Sequence, residues 1–94
     1  MKLIFSREAQ IDAALMNREG LRLFGPNQAA KYQAGMRDAL RTIEAFPMSN
    51  PERHYKEQKV RVRPYGSHLI LYTVDDEALT ILRIRHARED WQAG

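Results

Sequence analysis

The sequence predicts one α+β domain with the element order β-α-α-β-β-β. The first half of the chain, up to Pro47, carries apolar residues at helical spacing, and the second half carries short runs that alternate at strand spacing. A chain of 94 residues can build one hydrophobic core and is too short for two, so we expect residues 1–94 to form a single domain. A hydrophobic fraction of 44% and a charged fraction of 29% are ordinary for a globular protein and argue against extensive disorder.

The first two elements are a short strand and a helix. Residues 2–5 have the composition of a strand, and Ser6 is a suitable N-cap for a helix that runs to about Phe24. Small and apolar residues define one face of this helix, while Ile11 and Leu15 fall nearly opposite. Because both sets are apolar, the pattern alone leaves open which face packs against the rest of the domain.

A second helix follows a break in the first. Residues 25–27, Gly-Pro-Asn, combine a residue that ends helices, one suited to a first helical turn and one able to cap it. Apolar residues from Ala29 to Phe46 then recur within an arc of about 120°, and Pro47 ends the pattern. Two helices joined by such a tight break form an antiparallel hairpin.

The last part of the chain predicts a sheet of three consecutive strands. Residues 48–58 show no clear period, and we expect an irregular loop there. Short turns at residues 66–67 and 75–77 favour antiparallel pairing of the strands that they join. The helical hairpin must cover the apolar face of this sheet, because no other part of the chain can. The predicted strands are residues 59–64, 67–74 and 79–85.

Alternation along these strands also predicts a basic face. In the first of them Val60 and Val62 point to one side, and the cations beside them point to the other. In the last strand Leu82 and Ile84 alternate with arginines in the same way. A sheet with one apolar and one basic face is suited to bind an anionic target or an acidic peptide. The residues predicted on this face are Lys59, Arg61, Arg63, Arg83, Arg85 and Arg88.

Composition disfavours several classes of function. The absence of cysteine excludes disulfides, thiol catalysis and zinc–thiolate sites, and the three histidines lack the spacing of a metal site, so we expect no metal and no cofactor. The opening segment is too short for a signal peptide, and no run approaches the roughly 20 apolar residues that a membrane span needs. We therefore expect a cytoplasmic protein without membrane contact.

Four segments carry the most specific pattern of the sequence. They are F-G-P-N-Q-A-A-K-Y at 24–32, F-P at 46–47, R-P-Y-G-S-H-L-I-L-Y at 63–72 and I-L-R-I-R-H-A-R-E-D-W at 81–91. Together they resemble the ParE branch of the RelE/ParE toxin superfamily, which comprises toxins of bacterial type II toxin–antitoxin modules. The resemblance extends over nearly the whole chain, agrees in length and element order, and implies a RelE/ParE-like fold.

This resemblance implies a toxin that inhibits bacterial DNA gyrase by binding it and causes growth arrest unless a cognate ParD-like antitoxin neutralises it. Such a toxin would reach operator DNA only through the antitoxin. We expect an amphipathic helix of the antitoxin to contact Ile11 and Leu15, and an acidic segment to lie on the basic face. Two alternatives stay open: a RelE-like, ribosome-dependent mRNA endonuclease, and an inactive relic that acts only as antitoxin partner and co-repressor.

The candidate site residues favour inhibition by binding over catalysis. Cleavage of RNA needs cations on the phosphate and a proton carrier, and the candidate set for it is His86 with Arg85 and Arg83. Alternation, however, turns His86 away from these arginines and places His68 among apolar neighbours. We therefore expect no catalytic residues. We also expect Trp91 to pack on the sheet as an apolar anchor.

Overall fold

Five strands and one long helical segment make up the fold. The computed structural model describes residues 1–92. Within this range no helix is long and apolar enough to cross a membrane. The elements, in chain order, are β1 (Lys2–Phe5), α1 (Arg7–Ala45), β2 (Glu52–Tyr55), β3 (Gln58–Tyr65), β4 (His68–Val74) and β5 (Ala78–His86).

The strands form one mixed sheet in the order β1-β5-β4-β3-β2. Strand β4 pairs antiparallel with β3 and with β5, which confirms the two predicted antiparallel connections, and β2 pairs antiparallel with β3 as well. The sheet is not antiparallel throughout, however, because β1 pairs parallel with β5, from Lys2 opposite Ala78 to Phe5 opposite Ile81. Parallel pairing needs a long connection between the two strands, and the rest of the chain supplies it.

Residues 52–55 form an edge strand, where the sequence predicted an irregular loop. The prediction was wrong because the run Glu-Arg-His-Tyr has no apolar alternation, and its first three residues are exposed. Charged side chains are typical of edge strands, which must resist pairing with other chains. A tight turn at Lys56 and Glu57 joins β2 to β3.

The start of α1 is capped as predicted. The Ser6 hydroxyl accepts a hydrogen bond from the Ala9 N–H at 3.0 Å and donates one to the Leu82 carbonyl at 2.7 Å. The first bond satisfies a free N–H group of the first helical turn, and the second ties the helix start to β5. Ser6 therefore sets both where the helix begins and where it meets the sheet.

The helical segment α1 is bent back on itself at Gly25. Its φ of 81° and ψ of 172° are values that only glycine adopts readily, so the helix is interrupted there. A Cβ atom placed on Gly20 would lie 3.8 Å from the Cβ of Ala29. Nine residues of straight helix would separate them by about 13 Å. Residues 7–24 and residues 26–45 are thus two arms of a hairpin, as predicted, and we call them the first and second arm.

The main hydrophobic core lies between these arms and one face of the sheet. Ala9 of the first arm is fully buried in it, whereas Ile11 and Leu15 are half exposed, so the face with the small residues packs inward. The Tyr72 hydroxyl, at the end of the core, donates to the Pro47 carbonyl at 2.7 Å. The other buried members are Met36, Ala39, Ile43, Ile70, Leu79, Ile81 and Ile84.

The opposite face of the sheet is apolar as well, which the sequence did not predict. Alternation tells which residues of a strand share a face, but it does not tell which face the helices cover. Trp91 packs on this second cluster, as expected, and the Gln92 side-chain amide donates to the His54 carbonyl at 3.1 Å. The cluster contains Tyr55, Val60, Val62 and Leu71, which are buried, and the partly buried Leu69 and Leu82.

Candidate functional site

A groove of about 690 Å³ opens between the two arms of α1 and the end of the sheet at the β3–β4 turn. Leu23 and Phe24, at the end of the first arm, border it and are 53% and 67% exposed. Exposed apolar side chains around a concave surface are typical of a docking site. The other residues that line it include Met16, Gly20, Ala29, Tyr32, Tyr65, His68 and His86.

Four aromatic rings form the floor of this groove. The Tyr32 ring centroid lies 4.8 Å from that of Tyr65 and 5.6 Å from that of His68, and the His68 and His86 centroids are 5.4 Å apart. The Tyr32 hydroxyl lies 2.7 Å from Nδ1 of His68 and accepts from the Ser67 N–H at 3.0 Å. The Tyr65 hydroxyl donates to the Tyr32 carbonyl at 3.0 Å. The floor is therefore fixed before any partner binds.

Burial alters the protonation of two of these groups. It lowers the pKa of His68 below the ordinary value of histidine, and the neighbouring His86 lowers that pKa further. Burial also raises the pKa of Tyr32. Both side chains are neutral near pH 7, so the part of the floor that they form suits an apolar occupant.

The predicted basic face is divided between the two faces of the sheet. Directly opposite residues in antiparallel strands share a face, and Arg63, Ile70 and Ile84 are opposite one another across β3, β4 and β5. Ile70 and Ile84 belong to the core under the arms. Arg63 therefore lies on the face that α1 covers in part, and alternation adds Arg61 and Lys59 to that face.

The arginines of β5 lie on the other face. Leu71 is opposite Val62 in β3 and opposite Arg83 in β5, so Arg83 shares the face of the second apolar cluster. Arg85, two residues further along β5, lies on the same side. The prediction of a single basic face was wrong, because alternation within a strand says nothing about the register between strands.

Arg83 is tied to the first arm. Its guanidinium donates to Asp12 through Nε at 2.7 Å and through Nη2 at 3.0 Å, and to the Tyr55 hydroxyl at 3.3 Å. The Asp12 carboxylate also accepts from the Ile84 N–H at 2.9 Å. The Asp12 bonds, and secondarily the Tyr55 bond, raise the pKa of Arg83. Its charge is thus compensated inside the protein.

Arg85 is paired in a similar way. Its Nη2 lies 2.9 Å from the Glu89 carboxylate, which also accepts from the His86 N–H at 2.7 Å and whose pKa is lowered, first of all, by the bond to Arg85. Arg88 is exposed, and its backbone N–H donates to Nδ1 of His86 at 3.2 Å. Of the alternative catalytic set, Arg83 and Arg85 are held by carboxylates and the His86 ring meets the His68 ring edge-on, and a catalytic role for this set stays a prediction.

The other predicted cations belong to β3. Nη1 of Arg61 donates to the carbonyls of Asn50 at 2.7 Å and Met48 at 3.3 Å, and Nη1 of Arg63 donates to its neighbour's carbonyl at 2.7 Å. Lys59 is exposed. Within residues 1–92 these three cations form no ion pair, because only Arg22, Arg41, Arg83 and Arg85 do.

Ile11 and Leu15, the predicted antitoxin contacts, are 50% and 56% exposed. Leu15 borders a smaller cavity of about 310 Å³, together with His86 and the paired arginines of β5. Ile11 lies one helical turn before it. The two residues are thus on the accessible surface, and their role in binding stays a prediction.

The sequence reasoning missed the groove itself. One signal of it was present, because a helix with two apolar faces carries more apolar surface than a small core can bury. The residues that line the groove come from both arms, the β3–β4 turn and the end of β5. Only the bend at Gly25 and the register that sets His68 opposite His86 bring them together.

The fold is shared by a chain of a solved toxin–antitoxin system and by a solved toxin. A chain from the chromosomal ParDE TA system from P. aeruginosa superposes with a TM-score of 0.77 at 20% identity, over 94% of this chain and 97% of that one. The YoeB/ParE toxin from Agrobacterium tumefaciens gives a TM-score of 0.56 at 17% identity, over 92% and 98%. No curated protein sequence matches the chain.

The sequence identifies the family within this class. The family model for the ParE toxin of the type II toxin–antitoxin system, parDE, matches residues 3–91. The chain therefore belongs to the ParE toxin family, and it is a ParE-type toxin of a type II toxin–antitoxin system. The resemblance found in the four sequence segments is confirmed.

Proposed function

We propose that this toxin inhibits bacterial DNA gyrase by binding it, without catalysis of its own, and that a ParD-like antitoxin neutralises it in the cytoplasm. Membership in the ParE family supports the kind of target. The compensated charges of Arg83 and Arg85 support inhibition by binding, because a phosphate clamp needs cations that are free to bind phosphate.

The observation that carries the antitoxin part of the proposal is the apolar groove. An amphipathic helix could lay its apolar face between the arms, against Leu23, Phe24 and the fixed aromatic floor. Leu15 would contact the rim of such a helix from the adjoining cavity. Anchors of this kind set the lifetime of a complex, while charges around them mainly affect the rate of association.

A supercoiling assay tests the proposed target. Purified toxin added to gyrase at stoichiometric amounts should stop the supercoiling of relaxed plasmid, and the antitoxin should restore it. Supercoiling that proceeds at its normal rate with folded toxin contradicts the proposal. A-site cuts in mRNA on translating ribosomes would instead support the endonuclease, and normal growth on expression without antitoxin would support the inactive relic.

Two matched leucine variants test the antitoxin surface. Leu15→Ser should weaken antitoxin binding about tenfold, which corresponds to about 1.4 kcal/mol, because it removes an apolar anchor at the rim. Leu21→Ser is the control, since Leu21 is also on the first arm and 50% exposed but borders neither cavity. Calorimetric titration measures both affinities. Equal losses in the two variants would exclude a specific contact at Leu15.

A further inference from the structure

The two histidine rings on the groove floor are each held through their Nδ1 atom. The Tyr32 hydroxyl lies 2.7 Å from Nδ1 of His68 and 3.2 Å from the Tyr65 carbonyl. A hydroxyl has one proton to donate, and 2.7 Å is the usual length of an O–H hydrogen bond, so the proton goes to Nδ1 of His68. Nδ1 of His86 accepts from the Arg88 backbone N–H at 3.2 Å. Both Nδ1 atoms are therefore acceptors.

These bonds determine where each ring carries its own hydrogen. A neutral imidazole has one donor and one acceptor nitrogen, and the bond made by one nitrogen decides the state of the other. An imidazolium could not accept at Nδ1, so the bond from the Arg88 N–H requires a neutral His86 ring. His68 is neutral near pH 7, as described above. Each ring therefore carries a hydrogen on Nε2, and we call these two N–H donors the imidazole pair.

The imidazole pair is accessible from the groove. Within residues 1–92 the hydrogen bonds of the two rings are those at Nδ1, whereas every buried side-chain nitrogen or oxygen has a partner. The two Nε2 atoms are therefore not buried. His68 and His86 line both the groove and the smaller cavity beside it, and their ring centroids are 5.4 Å apart. Two donors this close together are within the span of one carboxylate, which has two acceptor oxygens.

The charges around the groove favour a negatively charged acceptor. Two charged side chains line it, Glu19 and Lys31. Glu19 is paired with Arg22, whereas Lys31 is exposed and forms no ion pair within residues 1–92. The two carboxylates and two arginines that line the smaller cavity are paired with one another. Lys31 thus leaves the lining of the groove with an uncompensated positive charge, which attracts an anion.

A purely apolar occupant would leave the imidazole pair without partners. A helix docked on the floor removes water from the two N–H groups, and a buried donor without a partner destabilises the complex. A carboxylate at this point would accept from both donors in charge-assisted hydrogen bonds, which are stronger than neutral ones. The groove therefore fits a helix whose apolar face is interrupted by one acidic residue.

We propose that the imidazole pair binds a carboxylate of the antitoxin, from an aspartate or glutamate within the apolar face of the helix that occupies the groove. This inference rests on the proposed function, because it takes the antitoxin helix as the occupant. Leu23 and Phe24 contribute apolar contact area along the groove. The carboxylate fixes the position of the helix along it, because a helix shifted in register buries the donors unpaired.

The first test measures the hydrogen positions in the toxin alone. Long-range proton–nitrogen correlation spectra of the histidine side chains distinguish a protonated from an unprotonated ring nitrogen. Near neutral pH, His68 and His86 should both be neutral with the hydrogen on Nε2. A hydrogen on Nδ1 of either ring would overturn the inference. This measurement needs no variant, so it stays decisive if a substituted protein does not fold.

The second test removes one donor and keeps the shape of the ring. His86→Phe should weaken the binding of full-length antitoxin about tenfold, because a hydrogen bond to a charged group is lost. His86→Gln retains an N–H donor and should keep most of the affinity. His54→Phe is the control, since His54 is exposed and borders neither cavity. Calorimetric titration measures all four proteins.

The third test identifies the acceptor. Each acidic residue of the antitoxin helix is replaced in turn by its amide, Asp by Asn and Glu by Gln. One replacement should weaken binding to the original toxin about tenfold and cause almost no further loss with His86→Phe, because residues in direct contact are not additive. If no acidic residue couples to His86 in this way, the acceptor is not a carboxylate and the inference fails.

Two further results would overturn the inference. Unchanged or tighter antitoxin binding by His86→Phe would assign the floor to a purely apolar occupant. Equal losses in His86→Phe and His86→Gln would assign the effect to the shape of the ring and not to its donor. An original toxin that binds no antitoxin would refute the proposed function instead, so the two failures are distinct.

Discussion

At the scale of single residues, two tyrosines tie the second arm to the sheet. The Tyr65 hydroxyl donates to the Tyr32 carbonyl at 3.0 Å, and the Tyr32 hydroxyl lies 3.2 Å from the Tyr65 carbonyl. This exchange brings the Tyr65 ring directly over Gly35. A Cβ atom placed on Gly35 would lie 2.7 Å from Cζ of Tyr65 and still closer to its hydroxyl oxygen. Gly35 is therefore required by packing and not by its backbone conformation.

Replacement of Gly35 tests this packing of the Tyr65 ring against the second arm. Gly35→Ala should lower the free energy of unfolding by about 2 kcal/mol, because the new methyl group displaces a hydrogen-bonded ring. Gly20→Ala is the control: its Cβ would meet Ala29 at an ordinary 3.8 Å, so better helix propensity should raise stability by up to about 1 kcal/mol. Urea unfolding measures both. A neutral Gly35→Ala would show that the Tyr65 ring moves freely.

His68 makes the stability of the fold depend on pH. Burial, and next the neighbouring His86, lower its pKa in the folded state, so the unfolded chain binds a proton more readily. Stability should therefore decrease as the pH falls through the ordinary histidine value of about 6.5. His68→Gln should flatten this dependence, and His54→Gln, at an exposed position, should not. Thermal melting at a series of pH values measures it, and identical profiles for all three proteins would contradict the assignment.

At the scale of elements, the reversal of α1 depends on a single residue. The φ and ψ of Gly25 belong to a region that is essentially closed to other residues, while nothing lies within 4 Å of where its Cβ would be. A substitution there would lower stability through backbone strain and not through a steric clash, since there is room for a side chain. The bend in turn creates the groove, because the two arms form its walls.

Gly25→Ala should lower the free energy of unfolding by about 2 kcal/mol. It should also weaken antitoxin binding in the folded protein, because the arms can no longer meet at the same angle. Urea unfolding and calorimetric titration measure the two effects. A variant that keeps full stability and full affinity would show that the bend tolerates other backbone conformations.

The elements also show what sequence patterns can and cannot predict. The cap at Ser6, the break at Gly25 and the turn at Gly66 were predictable because each depends on local chemistry. The strand Glu52–Tyr55 was not, because an exposed edge strand carries no alternation. The register of β4 and β5 was not predictable either, since it shifts near Leu71 and Tyr72.

At the scale of the whole molecule, the fold was predictable from the sequence and the candidate site only in part. The order of elements follows from hydrophobic periods along the chain, and so does the helical cover of the sheet. The face of the sheet on which each arginine lies depends on pairing between strands. The ion pair between Arg83 and Asp12 joins residues that are 71 positions apart in the sequence. No local pattern contains such information. The family match recovers the class of protein because it uses the whole chain at once.

The parallel pairing of β1 with β5 has a consequence for synthesis. Within residues 1–92, the strand partner of Lys2 to Phe5 is the segment from Ala78 to Ile81, so a ribosome must translate most of the message before the sheet can close. Contacts between such distant positions make closure a late event in folding. Any activity that needs the closed sheet therefore begins only when the chain is nearly finished.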